Sequence, residues 1–96
     1  MSTIGKFDCS VRDGRFFLYN RECHTPEQHK KFLKELERIP DLELGAFNLA
    51  PYADVKKASF QSVNFSIFYD LDYNFCTLSF AEKDKFIGVL LAQKLY

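Results

Sequence analysis

The stretch SVNFSIFYDLDYNFCTLSF, residues 62–80, contains two runs of alternating apolar and polar side chains, separated by the polar segment DLDYN. Alternation with a period of two is typical of β-strands, because successive side chains point to opposite faces of a sheet. The stretch therefore predicts a central hairpin. Its apolar face is expected to form core and consists of Val63, Phe65, Ile67, Cys76, Leu78 and Phe80.

The opposite face of this hairpin also carries large aromatic side chains, namely Phe68, Tyr73 and Phe75. Helices packed on the core face cannot shelter them, so either another segment covers them or they contact a partner. An exposed apolar patch of more than a few hundred Å² usually marks an interface. These three aromatic residues are therefore candidates for partner binding.

An N-terminal hairpin over residues 4–23 is centred on Asp13-Gly14, a dipeptide that accepts the positive φ angles of a two-residue turn. This turn pairs Arg12 with Arg15, and the pairing fixes which side chains share a face. The predicted core face of the hairpin comprises Phe7, Cys9, Val11, Phe16 and Leu18.

The clearest helix signal begins at Thr25, a typical N-cap residue, which Pro26 follows at the first helical position and Gln28 three residues after the cap. Pro40 ends the pattern because it lacks a backbone donor. Apolar side chains at helical spacing form one stripe: His29, Phe32, Leu33, Leu36 and Ile39.

A second helix is predicted from Ser79, as N-cap of a capping box with Glu82, almost to the end of the chain. Gly88 lies in its middle at a cost of about 1 kcal/mol relative to alanine, which indicates close packing against a neighbour. The predicted core side holds Phe86, Val89, Leu90 and Leu95, with Ile87 and Leu91 at the margin of the stripe.

Residues 42–60 are ambiguous. LELGAFNL alternates well enough for a strand, whereas YADVKKA is compatible with a single helical turn, and residues 47–60 could also fold over the outward aromatic side chains. The sequence as a whole predicts one α+β domain over residues 1–96. We expect an antiparallel sheet of four to five strands with two α-helices on one face, in the order ββα(β)ββα.

Composition excludes several classes of protein. Thirteen basic and thirteen acidic residues cancel, so no net charge attracts nucleic acid or a membrane surface. The N-terminus lacks the pattern of a signal peptide, and no apolar run approaches the roughly 18 residues of a membrane helix. Three cysteines are an odd number, which favours buried thiols in a reducing compartment. These features predict a cytoplasmic protein with no membrane partner.

No motif predicts catalysis, a metal or a cofactor. Cys23 and His24 with His29, together with Cys9 or Cys76, would make four ligands on paper, but no close pair such as CxxC is present. His24 directly after Cys23 on a strand would point to the opposite face, so the two do not suggest a nucleophile and its base. Asp70 and Asp72 fall in a predicted turn, where Asp is favoured for backbone reasons. We therefore expect a protein that is not an enzyme.

The leading functional hypothesis is a small binding or inhibitor module for another protein or protein complex, for example a phage-type antagonist of a host defence complex. A toxin-immunity protein, a single-stranded nucleic-acid binder using the basic and aromatic face of the N-terminal hairpin, and a self-associating structural protein or homodimer are the alternatives. The exposed edge of the second helix is a further possible contact surface. The predicted partner-binding residues are Arg12, Arg15, Phe17, Tyr19, Arg21, Phe68, Tyr73 and Phe75.

Overall fold

The computed structural model of the chain describes residues 2–49, 53–70 and 72–95. These residues form a seven-stranded antiparallel sheet and two α-helices, which confirms the α+β class but corrects the predicted four to five strands. The elements are β1 (Ser2–Ile4), β2 (Phe7–Arg12), β3 (Arg15–Asn20), α1 (Pro26–Glu37), β4 (Leu42–Leu49), β5 (Ala53–Phe60), β6 (Val63–Asp70), β7 (Phe75–Ala81) and α2 (Lys85–Lys94). Across the sheet the strands lie in the order β1-β2-β3-β7-β6-β5-β4.

The N-terminal hairpin has the predicted register. Arg12 pairs with Arg15, and the turn residues Asp13 and Gly14 have φ angles of 54° and 76°. Both angles are positive, as a two-residue turn that matches the twist of the strands requires. Val11 was predicted as core, but it is 44% exposed because it lies at the turn end of β2, at the margin of the sheet.

The two hairpins lie side by side because β3 pairs with β7 along its whole length. Phe16 lies opposite Phe80 and Leu18 opposite Leu78, and all four side chains are at most 1% exposed. The ring of Phe80 also stacks on that of Phe65, with 4.6 Å between the ring centroids. The predicted core face of the central hairpin is therefore the centre of the core.

Helix α1 begins as predicted. The Oγ1 atom of Thr25 accepts a hydrogen bond of 3.1 Å from the backbone N–H of Gln28, which satisfies one of the free donors at the helix start. The helix packs on the core face of the sheet, with the Phe32 ring centroid 5.9 Å from that of Phe7. The predicted stripe continues past the helix end at Glu37, and Ile39 is buried in the following turn.

The N-cap of helix α2 is Asp84, five residues after the predicted Ser79, and the predicted capping box is wrong. Strand β7 runs on through Ser79 to Ala81, and a short 3₁₀ turn over Glu82–Asp84 precedes the helix. Ser79 pairs with Phe17 of β3, and its Oγ accepts a hydrogen bond of 3.0 Å from Nε of Arg15. Pairing with β3 satisfies this backbone, so the local helix-start signal does not decide the structure.

The late start of α2 changes which of its residues face the sheet. Phe86, predicted as core, is 87% exposed, whereas Leu91 and Ala92 are fully buried. Gly88 is buried against the ring of Phe16, which confirms the predicted close packing. Neither described helix is long and apolar enough to span a membrane.

Residues 42–60 contribute two strands. The predicted strand is β4, which contains an irregularity between Leu44 and Phe47, and the predicted helical turn is wrong because residues 53–60 form β5. Ala58 and Phe60 of β5 are buried on the core face, and this burial fixes the strand in the sheet. Residues 53–60 therefore do not cover the outward aromatic residues, and residues 50–52 lie outside the described part of the chain.

Candidate functional site

The sheet has one face packed by helices and one that we call the outer face. Contacts of α1 and α2 reach Phe7, Phe16 and Tyr69, which the register places together on the core face. The outer face consists of the alternate residues of the same strands. Its central members are Arg12, Arg15, Phe17, Tyr19, Phe68, Phe75, Thr77 and Ser79.

Four aromatic rings form a continuous row on the outer face, which we call the aromatic row: Phe17, Tyr19, Phe75 and Tyr73. Successive ring centroids are 6.2 Å apart from Phe17 to Tyr19, and 6.3 Å apart from Tyr19 to Phe75 and from Phe75 to Tyr73. The row crosses from β3 to β7 and ends in the β6–β7 turn. Tyr73 is 77% exposed and Phe75 37%. The structure thus brings together aromatic residues from both predicted hairpins.

Phe68 lies beside the aromatic row and is 37% exposed. It pairs with Thr77 of β7, which in turn pairs with Tyr19 of β3. Thr77 is buried between them, and its Oγ1 atom has no hydrogen-bond partner among the described residues. Phe68 and the aromatic row therefore belong to one apolar surface with an unsatisfied hydroxyl group beneath it.

The three predicted arginines contact the outer face in different ways. The guanidinium of Arg12 lies 5.8 Å from the centroid of the Phe17 ring, a cation–π distance. Arg15 lies along the sheet, where Nε and Nη2 donate hydrogen bonds of 3.0 Å to the side chain and carbonyl of Ser79. Arg21 pairs with Asp8 at 3.3 Å and donates to a backbone carbonyl. Arg15 and Arg21 are therefore held by hydrogen bonds or an ion pair within the protein, whereas Arg12 lies over the Phe17 ring.

The turn that carries Tyr73 is fixed by local hydrogen bonds. Oδ1 of Asp70 accepts from the backbone N–H groups of Asp72 and Tyr73 at 2.8 and 3.0 Å. Asn74 has a φ of 54°, and its Oδ1 accepts a 2.9 Å hydrogen bond from the Tyr69 hydroxyl. Asp70 thus serves the turn, as the sequence indicated, and holds Tyr73 at the end of the aromatic row.

A second group of functional side chains lies on the helix side of the sheet. One potential ligand atom each from Cys23, His29 and Cys76 lies within 4.8 Å of the other two, and all three residues are buried. The β3–β7 and β6–β7 ladders place Asn20, Cys76 and Tyr69 in a row, and His29 of α1 stacks on Tyr69 with 4.4 Å between centroids. We call Cys23, His29 and Cys76 the thiol–imidazole cluster. The sequence offers these three residues as possible ligands but predicts no metal site, because no close CxxC pair is present. Their proximity depends on how the β3–α1 connection and α1 pack on β7, which local spacing does not reveal.

The electrostatics of this cluster differ from residue to residue. A hydrogen bond with Cys76 lowers the pKa of the Cys23 thiol, burial opposes this shift, and the Lys6 ammonium adds to it. The same hydrogen bond, with burial, raises the pKa of Cys76 well above its ordinary value. Burial lowers the pKa of His29, partly opposed by Asp54. Cys23 is therefore the more readily ionised thiol of the two, and burial favours the neutral imidazole of His29, in which one ring nitrogen carries a free lone pair.

Comparison with protein-family models, with curated proteins and with solved structures finds no significant match for this chain.

Proposed function

We propose that this protein binds another protein through its outer face and acts by occupying that partner's surface. The observation that carries the proposal is the aromatic row, four rings in continuous contact on the side of the sheet that lies away from both helices. Aromatic and arginine side chains are enriched at the centres of protein interfaces, where they contribute most of the binding energy. Phe68 and Arg12 extend the same surface on either side of the row.

The rigidity of the surface supports this function. Phe17 and Tyr19 project from β3, which is paired on both edges, and Asp70 fixes the turn that carries Tyr73. A surface held by backbone hydrogen bonds loses little conformational entropy on binding. The outer face therefore suits a preformed contact with a partner rather than one that folds on binding.

We place the protein among inhibitors, of which a phage-type antagonist of a host defence complex and a toxin-immunity protein are two kinds. Both kinds work by masking a surface and require no chemistry of their own. Three buried thiols are compatible with a reducing compartment such as the cytoplasm. The identity of the captured partner distinguishes the two: a toxin encoded beside the gene indicates immunity, and a subunit of a defence complex indicates antagonism.

The test compares quantitative affinity purification of the wild-type protein with that of the double variant Phe17→Ala/Tyr19→Ala. We expect the double variant to recover at least about 10-fold less partner, because truncation of a central aromatic residue typically costs more than about 1 kcal/mol of binding free energy. Phe86→Ala is the matched control, since this phenylalanine is 87% exposed on α2 and lies outside the outer face. It should retain the partner.

Three outcomes would contradict the proposal. The first is retention of the partner by the double variant, and the second is loss of the partner by Phe86→Ala, which would assign the contact to α2. The third is recovery of no specific partner. Melting temperature is the folding control, because a Phe→Ala change in a core costs about 3–5 kcal/mol and would lower the melting temperature strongly. Sedimentation at high concentration tests whether the partner is a second copy of this chain. A dimeric wild type and a monomeric double variant would identify a homodimer.

Single-stranded nucleic acid is the second candidate partner. Phe17 and Tyr19 are stacked at 6.2 Å and Arg12 lies over Phe17, an arrangement that resembles platforms for stacked bases. We expect binding of this kind to weaken steeply with salt and to fall in Arg12→Ala. Absence of binding to mixed-sequence oligonucleotides at low salt would exclude this candidate.

A further inference from the structure

We propose that Cys23, His29 and Cys76 form a binding site for a thiophilic cation, Zn²⁺, on the helix side of the sheet. Two sulfur atoms and one ring nitrogen lie within 4.8 Å of one another. Donors bound to one Zn²⁺ at about 2.3 Å for sulfur and 2.0–2.1 Å for nitrogen lie roughly 3.5–3.8 Å apart in tetrahedral geometry. Closing this cluster around the ion therefore requires displacements of about 1 Å, which side-chain rotation can supply.

The state of His29 is a second, independent observation that favours a ligand at this cluster. The residue is only 9% exposed, and its Nδ1 atom is buried without a hydrogen-bond partner in the described part of the chain. A buried polar atom that lacks a partner is costly, so native proteins seldom retain one without a reason. Tyr69 stacks on the ring and fixes its plane. Coordination of a cation would use the lone pair of a ring nitrogen held in this pocket.

The donor set selects the class of ion. Thiolate sulfur and imidazole nitrogen suit Zn²⁺ and related soft cations, whereas Mg²⁺ and Ca²⁺ prefer oxygen donors. On binding, each thiol transfers its proton to solvent and its sulfur lone pair to the metal, with no change of oxidation state.

A cleft reaches one member of the cluster, Cys23, and the donor count leaves one coordination position for another group. A cleft of about 470 Å³ is lined by Cys23 together with Asn20, Gln28 and Phe32. Zn²⁺ is almost always four-coordinate in proteins, so three protein donors leave a fourth position for water or for a group from a partner. Bound metal would tie the β3–α1 connection to β7, on the opposite side of the sheet from the aromatic row.

The experiment titrates the reduced full-length chain with Zn²⁺ alone, by calorimetry and by competition with a chromophoric chelator. We expect one ion per chain with a dissociation constant below about 1 µM. The melting temperature should rise by about 10 °C or more when free Zn²⁺ is held at 100 times that constant. Cobalt(II) in place of zinc should give thiolate-to-metal charge-transfer absorption.

Variants locate the site. Cys23→Ala, Cys76→Ala and His29→Gln should each weaken binding at least about 10-fold. Cys9→Ala is the matched control, because Cys9 is a buried thiol of β2 outside the cluster, and it should bind as the wild type does. If a cluster variant does not fold, protection of Cys23 and Cys76 from alkylation by Zn²⁺ in the wild type gives the same test. No binding, equal binding in the cluster variants, or cobalt spectra without thiolate bands would overturn the proposal.

Discussion

Replacement of Gly88 with alanine tests how closely α2 packs on the sheet. A Cβ atom at this position would lie 2.8 and 2.9 Å from Cε2 and Cδ2 of Phe16, and 3.2 Å from Cδ1 of Phe80. Ordinary contacts between carbon atoms are about 3.5–4.0 Å, so the new methyl group overlaps the Phe16 ring by roughly 0.7 Å.

The Phe16 ring has little freedom to yield. It is 1% exposed, and Phe80, its tilted neighbour, is itself stacked on Phe65. Alanine gains about 1 kcal/mol of helix propensity over glycine, whereas overpacking a core typically costs about 1–3 kcal/mol. With three ring atoms inside normal contact distance, the cost falls in the upper part of that range. We therefore expect Gly88→Ala to destabilise the protein by about 1–2 kcal/mol.

Urea denaturation and thermal unfolding both measure this effect. A loss of 1–2 kcal/mol corresponds to a fall in melting temperature of roughly 4–16 °C for a chain of this size. Phe16→Leu should create room for the methyl group, so the double variant Gly88→Ala/Phe16→Leu should lose less than the sum of the two single changes. A Gly88→Ala protein as stable as the wild type, or two changes that simply add, would refute the close packing of α2.

Two further predictions concern single side chains. Thr77→Val removes the buried hydroxyl that has no described partner and keeps the shape of the side chain, so the free energy of unfolding should be unchanged or rise by up to about 1–3 kcal/mol. A clear fall in that free energy, measured by urea denaturation, would show that the hydroxyl is satisfied. Thr25→Ala should lower the free energy of unfolding by about 1 kcal/mol, because it removes the acceptor for the Gln28 N–H, whereas Thr25→Asn, which retains an acceptor, should remain near the wild type. An equal loss of stability in both variants would contradict the capping role of Thr25.

Features set by neighbours in sequence could be predicted. The register of the β2–β3 hairpin follows from Asp13-Gly14, because a two-residue turn leaves no choice of pairing. The start of α1 follows in the same way from Thr25 and Pro26. In both cases the local signal and the tertiary structure agree, so the prediction and the structure coincide.

Elements that lack a clear local pattern, or whose local pattern competes with a distant strand, could not be predicted. Ser79 and Glu82 form a plausible capping box, yet pairing of β7 with β3 extends the strand to Ala81. Strand β5 was missed because Lys56 and Lys57 interrupt its alternation, and β1 because three residues are too few for a pattern. At Ser79, tertiary pairing outweighed the local preference.

The candidate sites divide along the same line. The outward direction of Phe17, Tyr19 and Phe75 followed from alternation within each hairpin, and the structure shows the hairpins side by side. The meeting of Cys23 with Cys76 did not follow, because it depends on the order of strands in the sheet. The spacing of residues in a sequence predicts a metal site only where the ligands are close together in that sequence.

The pairing of β3 with β7 also constrains how the chain folds. It pairs Arg15 with Ala81, and the Arg15 side chain donates a hydrogen bond to Ser79, 64 positions away in the sequence. Forming such a contact closes a long loop and loses chain entropy before any stabilising interaction is made, so it is expected to form after the local hairpins. During synthesis, the free edge of β3 stays open to wrong partners until residues 75–81 have emerged. Because the β3–β7 pairing forms late, the N-terminal hairpin is the part of the nascent chain most exposed to aggregation.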